Sequence, residues 1–256
     1  MKDLLGYKDT YLSTKRGYNL LRLFAPMPCM ICGEIDSSEE GPFCKECFEK
    51  FSTLLSTPCP VCGGKREECE CCELTGIKKV FFLFWYYKDI SSDMIIKVKY
   101  LGDKREISYL GYLIAETVKE EEFSGVCFVP RMKNNIKKLG FDQAKLLAES
   151  VAFHLGLPIV DCIGRKGRSA EQKKLSGADR RRNVKNKFFV DAEKLKFENG
   201  KIPSKLLLID DVVTTGSTVK ECSYLLRKVG VKSVYVGAIA KTPTRKTRYK
   251  RKPKAK

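Results

Sequence analysis

The chain of 256 residues has room for one sizeable domain plus a small one, and its 43% hydrophobic content argues for a packed core and against global disorder. Lys and Arg number 49 against 31 Asp and Glu, a formal net charge of +18 that favours polyanionic partners: nucleic acid, phosphorylated metabolites or an acidic membrane surface. "LLGYKDTYLSTKRGYN" lacks the apolar core of an export signal, and the longest apolar run, "VFFLFWYY" at 80–87, is too short to cross a bilayer. No membrane insertion and a cytoplasmic location are therefore expected.

Residues 1–28 read as an N-terminal helical segment, with Leu20, Leu21 and Phe24 on one stripe, closed by "APMP". A cysteine-rich module follows at 29–75 and holds nine of the twelve cysteines. In a reducing compartment such a block is not a disulfide framework by default. Cys29 and Cys32 form one C-x2-C pair, Cys44 and Cys47 a second, and Cys59 and Cys62 a third, before the "CECC" run of Cys69, Cys71 and Cys72. A two-residue gap lets two thiolates of one tight turn bind the same tetrahedral ion, and Gly33 and Gly63 stand where that turn can need a positive φ. Two such knuckles close one four-thiolate site, so one or two structural zinc ions are expected. Sequential pairing gives Cys29, Cys32, Cys44 and Cys47 for one ion and Cys59, Cys62, Cys69 and Cys72 for the other, with Cys71 spare; cross-braced pairing is the open alternative.

Beyond the cysteines, "IKKVFFLFWYY" reads as a buried strand, with Trp85, Tyr86 and Tyr87 taken as core, and base stacking as the alternative. Helical patterns follow at 92–99 and 104–121, the latter with Ile107, Leu110, Ile114 and Val118 on one face. "VCFVP" at 126–130 is a strand, "FDQAKLLAESVAFHLG" a helix ended by Gly156, and "LPIVDCI" and "KLLLID" are strands. "GSTVKECSYLLRKVG" is a helix stopped by Gly230, and "VKSVYVGAIA" is the last strand. Cys127, Cys162 and Cys222 sit in apolar contexts as small core residues, and His154, the only histidine, as a helix-end packing or surface residue. The alternation predicts an α/β fold, a mainly parallel sheet with helices on its faces, whose ligands bind at the carboxyl ends of the strands.

At one such end stands "LLLIDDVVTTGST", residues 206–218. A strand running into a tight turn and then a helix offers backbone N–H groups and the positive end of a helix dipole. Thr214, Thr215, Ser217 and Thr218 add hydroxyls and Gly216 a tight turn, which together suit a phosphate. Asp210 and Asp211, about a sugar's length upstream, suit ribose hydroxyls or a magnesium bridging them. The Walker pattern and its lysine are absent.

"LLLIDDVVTTGSTVKEC" resembles the phosphoribosyl pyrophosphate (PRPP) motif of type I phosphoribosyltransferases, and with the cysteine block ahead of it the chain is similar to the ComF family of competence-associated proteins. Further matches to that family are Lys99 and Tyr100; Val129 and Pro130; Gly140, Phe141 and Gln143; Gln172, Leu175 and Ser176; and Arg180 and Asn183. Two positions depart from it: Leu139 stands for an arginine and Asp142 for an asparagine. The resemblance implies a phosphoribosyltransferase-like domain over 76–241, with Asp210 and Asp211 in the catalytic position. They and Thr214, Thr215, Gly216, Ser217 and Thr218 would bind PRPP or a similar sugar phosphate, with magnesium.

Residues 164–187 carry ten Lys and Arg against two acids, and the tail "KTPTRKTRYKRKPKAK" nine and none; the tail, 242–256 in the domain division, is expected to be disordered when free. In phosphoribosyltransferases the comparable internal segment is a hood over the pyrophosphate. Arg165, Lys166, Arg168, Arg180, Arg181 and Arg182 are the candidate nucleic-acid contacts. Two readings follow: a factor binding single-stranded DNA in uptake, or an active phosphoribosyltransferase with an unidentified acceptor base. An adaptor role towards a helicase or recombination mediator is compatible with the first.

Overall fold

The computed structural model describes residues 28–35, 43–65, 69, 73–86, 104–132, 136, 140–166, 187–197 and 199–243. The helices expected within 1–28 and at 92–99, together with Lys99, Tyr100, Leu139, the segment 167–186 and the chain beyond 243, lie outside the described residues. In chain order the elements are α1 (Lys45–Ser56), β1 (Val80–Trp85), α2 (Lys104–Val118), β2 (Gly125–Phe128), α3 (Gln143–Leu155), β3 (Ile163–Arg165), β4 (Phe188–Val190), α4 (Ala192–Leu195), β5 (Lys205–Val213), α5 (Ser217–Lys228) and β6 (Ser233–Lys241).

β1, β6, β5 and β2 form, in that order, a sheet whose every pairing is parallel. The aliphatic run of β5 is continuous because both faces of the sheet are covered. Leu206 and Leu208 pack with Val219, Cys222 and Leu226 of α5, whereas Leu207 and Ile209 join Leu110 and Ile114 of α2 and Leu147 and Val151 of α3. Side chains alternate across a strand, so the same alternation carries on into Asp210 and Asp211. α2 and α3 cross closely: a Cβ at Gly111 would lie 2.2 Å from Ser150 Oγ. Cys127, Cys162 and Cys222 are core residues, and burial pushes the Cys162 thiol up to about 12.

The two cysteine sets attach to opposite faces of the sheet. Phe43 and Phe51, beside the first set, lie edge-on to Tyr109 and Phe84 at ring distances of 5.4 and 6.1 Å. Cys59 and Leu74, from the second set's region, join Phe82 and Trp85 on the α5 side. Trp85 is core, 1% exposed, as its aromatic strand predicts. His154 ends α3, edge-on to Tyr112 and Phe153.

"LPIVDCI" differs from the expected strand. Ile159 makes a single parallel bridge to Val126, and the chain then turns so that Ile163 pairs antiparallel with Val190 in a separate β3–β4 ribbon. The edge offered by β2 is satisfied at that point by Val126 N–H to the Pro158 carbonyl (2.9 Å) and Val160 N–H to the Val126 carbonyl (2.8 Å). Among the described residues no helix is long and apolar enough to cross a membrane.

Candidate functional site

β5 runs two residues past the acidic pair, with Asp210 opposite Ala238 and Val213 opposite Lys241 on β6. The two carboxylates therefore diverge. Asp210 acts on Cys222 of α5, where burial first, then the charges of Asp210 and Glu221, push the thiol up and Arg165 opposes them. Asp211 turns the other way and accepts a hydrogen bond from Arg131 Nη2 at 2.9 Å, the two side chains being 20% and 16% exposed for Arg131 and Asp211. Each acid also accepts the N–H of the residue that follows it: Asp211 N–H donates to Asp210 Oδ1 (3.0 Å) and Val212 N–H to Asp211 Oδ1 (2.7 Å). A magnesium bridging both acids does not fit this arrangement, because alternation along β5 sends the two side chains to opposite faces of the sheet and Asp211 already holds a guanidinium.

Arg131 directly follows the Val129-Pro130 strand end. Val129 N–H donates to the Ile209 carbonyl at 2.9 Å, tying this turn to β5. Arg131 N–H donates to Asp142 Oδ2 at 3.0 Å. Asp142 Oδ1 in turn accepts the N–H groups of Ala144 (3.1 Å) and Lys145 (3.4 Å), so it is the N-cap of α3. The acid that stands for the family's asparagine thus has a structural function: a carboxylate favoured by the helix dipole and by three backbone donors. Arg131 was missed at the sequence level; its only sequence signal is its place immediately after a strand end at the ligand side of the sheet.

The turn after β5 has the expected form. Gly216 takes a left-handed φ of 73° as N-cap of α5 and has no side chain to cap it, while the Ser217 N–H donates to Thr215 Oγ1 at 3.4 Å. Thr214, Thr215 and Ser217 are exposed, Thr218 is half-buried and Gly216 is buried. Thr215 Oγ1 donates to Ser217 Oγ at 3.1 Å. First-turn amides and exposed hydroxyls meet here, as a phosphoryl group requires.

Of the candidate basic contacts, Arg165 and Lys166 lie at the open end of the β3–β4 ribbon, while Arg168, Arg180, Arg181 and Arg182 lie outside the described residues. Arg165 covers the Phe188 ring at 5.1 Å. Lys166 N–H donates to the Lys187 carbonyl at 2.8 Å, and Lys187 N–H to Glu221 Oε1 of α5, also at 2.8 Å. Both ends of the charged segment are thereby anchored beside the helix that carries the turn.

The cysteines pair sequentially. The sulfurs of Cys29, Cys32, Cys44 and Cys47 lie within 4.8 Å of one another, as do those of Cys59, Cys62 and Cys69; Cys71 and Cys72 lie outside the described residues. A tetrahedral zinc with Zn–S of about 2.3 Å implies sulfur separations of about 3.8 Å. Cys32 and Cys44 stand 3.8 Å apart and Cys62 and Cys69 3.6 Å. Both knuckle glycines have positive φ, 81° at Gly33 and 71° at Gly63. Ile31 N–H donates to Cys29 Sγ at 3.4 Å, Cys47 N–H to Cys44 Sγ at 3.5 Å and Val61 N–H to Cys59 Sγ at 3.4 Å, the donors that a thiolate requires. Burial pushes the Cys29 thiol up, but the N–H groups of Cys32, Cys44 and Ile31 outweigh it and bring it to about 7. The donor set fits zinc.

A parallel sheet flanked by helices, a hydroxyl-rich turn after an acidic pair at a strand end and a cysteine module ahead of them make up a type I phosphoribosyltransferase-like fold with an N-terminal cysteine module whose donor set fits zinc. The chain is 38% identical over 103 residues to competence protein F of Haemophilus influenzae, 25% identical over 227 residues to competence protein ComFC of Streptococcus pneumoniae, and 34% identical over 115 residues to the DNA utilization protein YhgH of Salmonella typhi. These matches cover 40%, 81% and 44% of the chain and 43%, 97% and 48% of the three relatives, so the chain spans about half the length of the first and third. The match to ComFC extends over most of the chain. No family model matches it. Among solved structures, the glutamine PRPP amidotransferase of B. subtilis overlaps 56% of the chain and 30% of its own length at 18% identity and a TM-score of 0.40.

Proposed function

We propose that the chain binds single-stranded DNA during uptake and retains a pocket for PRPP or a similar sugar phosphate. The observation that carries this reading is the turn at Thr214–Thr218: hydroxyls and helix amides gather at the carboxyl end of β5, with both ends of the basic segment fastened beside them through Glu221. Thr214, Thr215, Gly216, Ser217 and Thr218 would hold the 5′-phosphate, Asp210 and Asp211 would position the ribose, and magnesium would accompany the pyrophosphate of PRPP. Arg165, Lys166, Arg168, Arg180, Arg181 and Arg182 would contact the DNA backbone. The names of the relatives, which speak of competence and DNA utilization, support the same reading. The cysteine module over 29–75, loaded with one or two zinc ions, would be a structural support for the domain over 76–241, and a helicase or recombination mediator would be its protein partner.

The intact acidic pair and phosphate turn favour a second reading, an active phosphoribosyltransferase. There a base would attack the anomeric carbon as pyrophosphate leaves, with positioning and electrostatics supplying the rate. Titrating PRPP with magnesium and, separately, an oligonucleotide, each against the other, tests the first reading. Absence of oligonucleotide binding would sink it. Pyrophosphate release from PRPP over a panel of bases, abolished by Asp211→Asn, would establish the second.

A further inference from the structure

We propose that Arg131 is the resident cation of Asp211 and determines the metal requirement of the site, so that a sugar phosphate binds next to Asp211 without a divalent ion there. The inference rests on the sugar-phosphate reading of the pocket. Three observations carry it. First, the guanidinium already sits on the carboxylate at 2.9 Å, with both side chains largely withdrawn from water. Withdrawal from solvent strengthens such a charge-assisted contact and makes its replacement by a hydrated ion unfavourable. Second, Arg131 is held from behind. Its N–H is fixed on Asp142, which is 9% exposed and pinned by the first turn of α3, and the preceding Val129 is tied to β5. The side chain therefore starts from a rigid base. Third, alternation along β5 puts Asp210 on the face of Leu206 and Leu208, which pack with α5, and Asp211 on the face of Leu207 and Ile209, so the two acids are not side by side around one ion.

A guanidinium has five donors in a planar fork, so one that engages Asp211 can also present donors to a ligand phosphoryl or hydroxyl oxygen. Arg131 would thus neutralise the acid and select an anionic sugar in a single group. Magnesium would be needed only where the ligand itself carries a pyrophosphate.

The experiment is calorimetric titration of the zinc-loaded full chain with ribose 5-phosphate and with PRPP, in metal-depleted buffer free of chelator and again with millimolar magnesium. Wild type, Arg131→Ala and Arg131→Lys are compared, with manganese binding followed separately by electron paramagnetic resonance. Wild type is expected to bind ribose 5-phosphate equally well with and without magnesium. Arg131→Ala is expected to lose about tenfold without magnesium, to recover when it is added, and to gain a manganese site that Asp211→Asn removes again. Arg131→Lys is expected to keep the metal-independent behaviour. Binding of ribose 5-phosphate by wild type only with magnesium, or failure of Arg131→Ala to gain a manganese site, overturns the inference. If no variant binds either sugar phosphate under any condition, the pocket reading itself fails, while the manganese measurement still decides the function of Arg131.

Discussion

Leu74 closes the back of the turn between β5 and α5: a Cβ placed on Gly216 would come within 2.5 Å of Leu74 Cδ1 and 2.9 Å of its Cδ2. Leu74 stands just beyond the second cysteine set and is 7% exposed, so the turn rests on a side chain delivered from the cysteine-rich segment. A ligand must then approach from the opposite, hydroxyl-bearing side.

Gly216→Ala is expected to destabilise the protein by about 1–3 kcal/mol, because alanine at φ 73° is strained and its methyl meets Leu74. Sugar-phosphate affinity should fall with it. Thermal melting and titration of PRPP check this together; a variant that melts and binds like wild type would refute the packing described.

Cys44→Ser should remove one zinc equivalent and loosen α1 through loss of the metal alone, since Cys44 is a ligand candidate at the start of that helix and a serine hydroxyl can still serve as its N-cap. With α1 go the ring contacts of Phe43 with Tyr109 and Phe51 with Phe84. The melting temperature should drop by several degrees and a chelator should have little further effect at the first site. Metal analysis and calorimetry would show it.

Neutralising Arg180, Arg181 and Arg182 should weaken oligonucleotide binding at low salt and flatten its dependence on salt concentration. For a single strand, each lost phosphate contact lowers the log–log slope by about 0.7, so three lower it by about 2. An unchanged slope in a filter or anisotropy titration would place the DNA elsewhere.

Lys205 anchors the far end of the sheet. Its ammonium donates to Glu121 Oε2 at 2.6 Å and lies 5.3 and 4.7 Å from the ring centres of Phe123 and Tyr235. Lys205→Met should cost about 1–2 kcal/mol in denaturant unfolding at neutral pH. The hydrogen bond to Glu121 holds the ammonium above its usual value. A raised folded pKa means that this stabilisation is complete below the unfolded value of 10.5 and fades as pH rises through the higher folded one. The difference between wild type and variant should therefore hold through the neutral range and shrink in strong alkali.

Much of this molecule is written in short stretches. The unbroken aliphatic run of β5, the amphipathic spacing of Ile107, Leu110 and Ile114, and the C-x2-C gaps each fix a local geometry, so the parallel sheet, its packed helices and the cysteine knuckles were legible from the chain alone, whereas which knuckles group together was decided by the fold. Where a stretch can satisfy its backbone in two ways, the neighbours decide. Ile159 bridges to Val126 and Ile163 turns to Val190 only because β2 and β4 offer those edges. The divergence of Asp210 and Asp211 depends on β5 continuing through Val213 beside β6, and the partner of Asp211 is 80 residues away along the chain at Arg131. Local patterns record hydrophobic periodicity and turn chemistry, which arise between residues a few positions apart. Which charge meets which carboxylate depends on strand order, register and a capped helix start, and those exist only once the sheet has assembled.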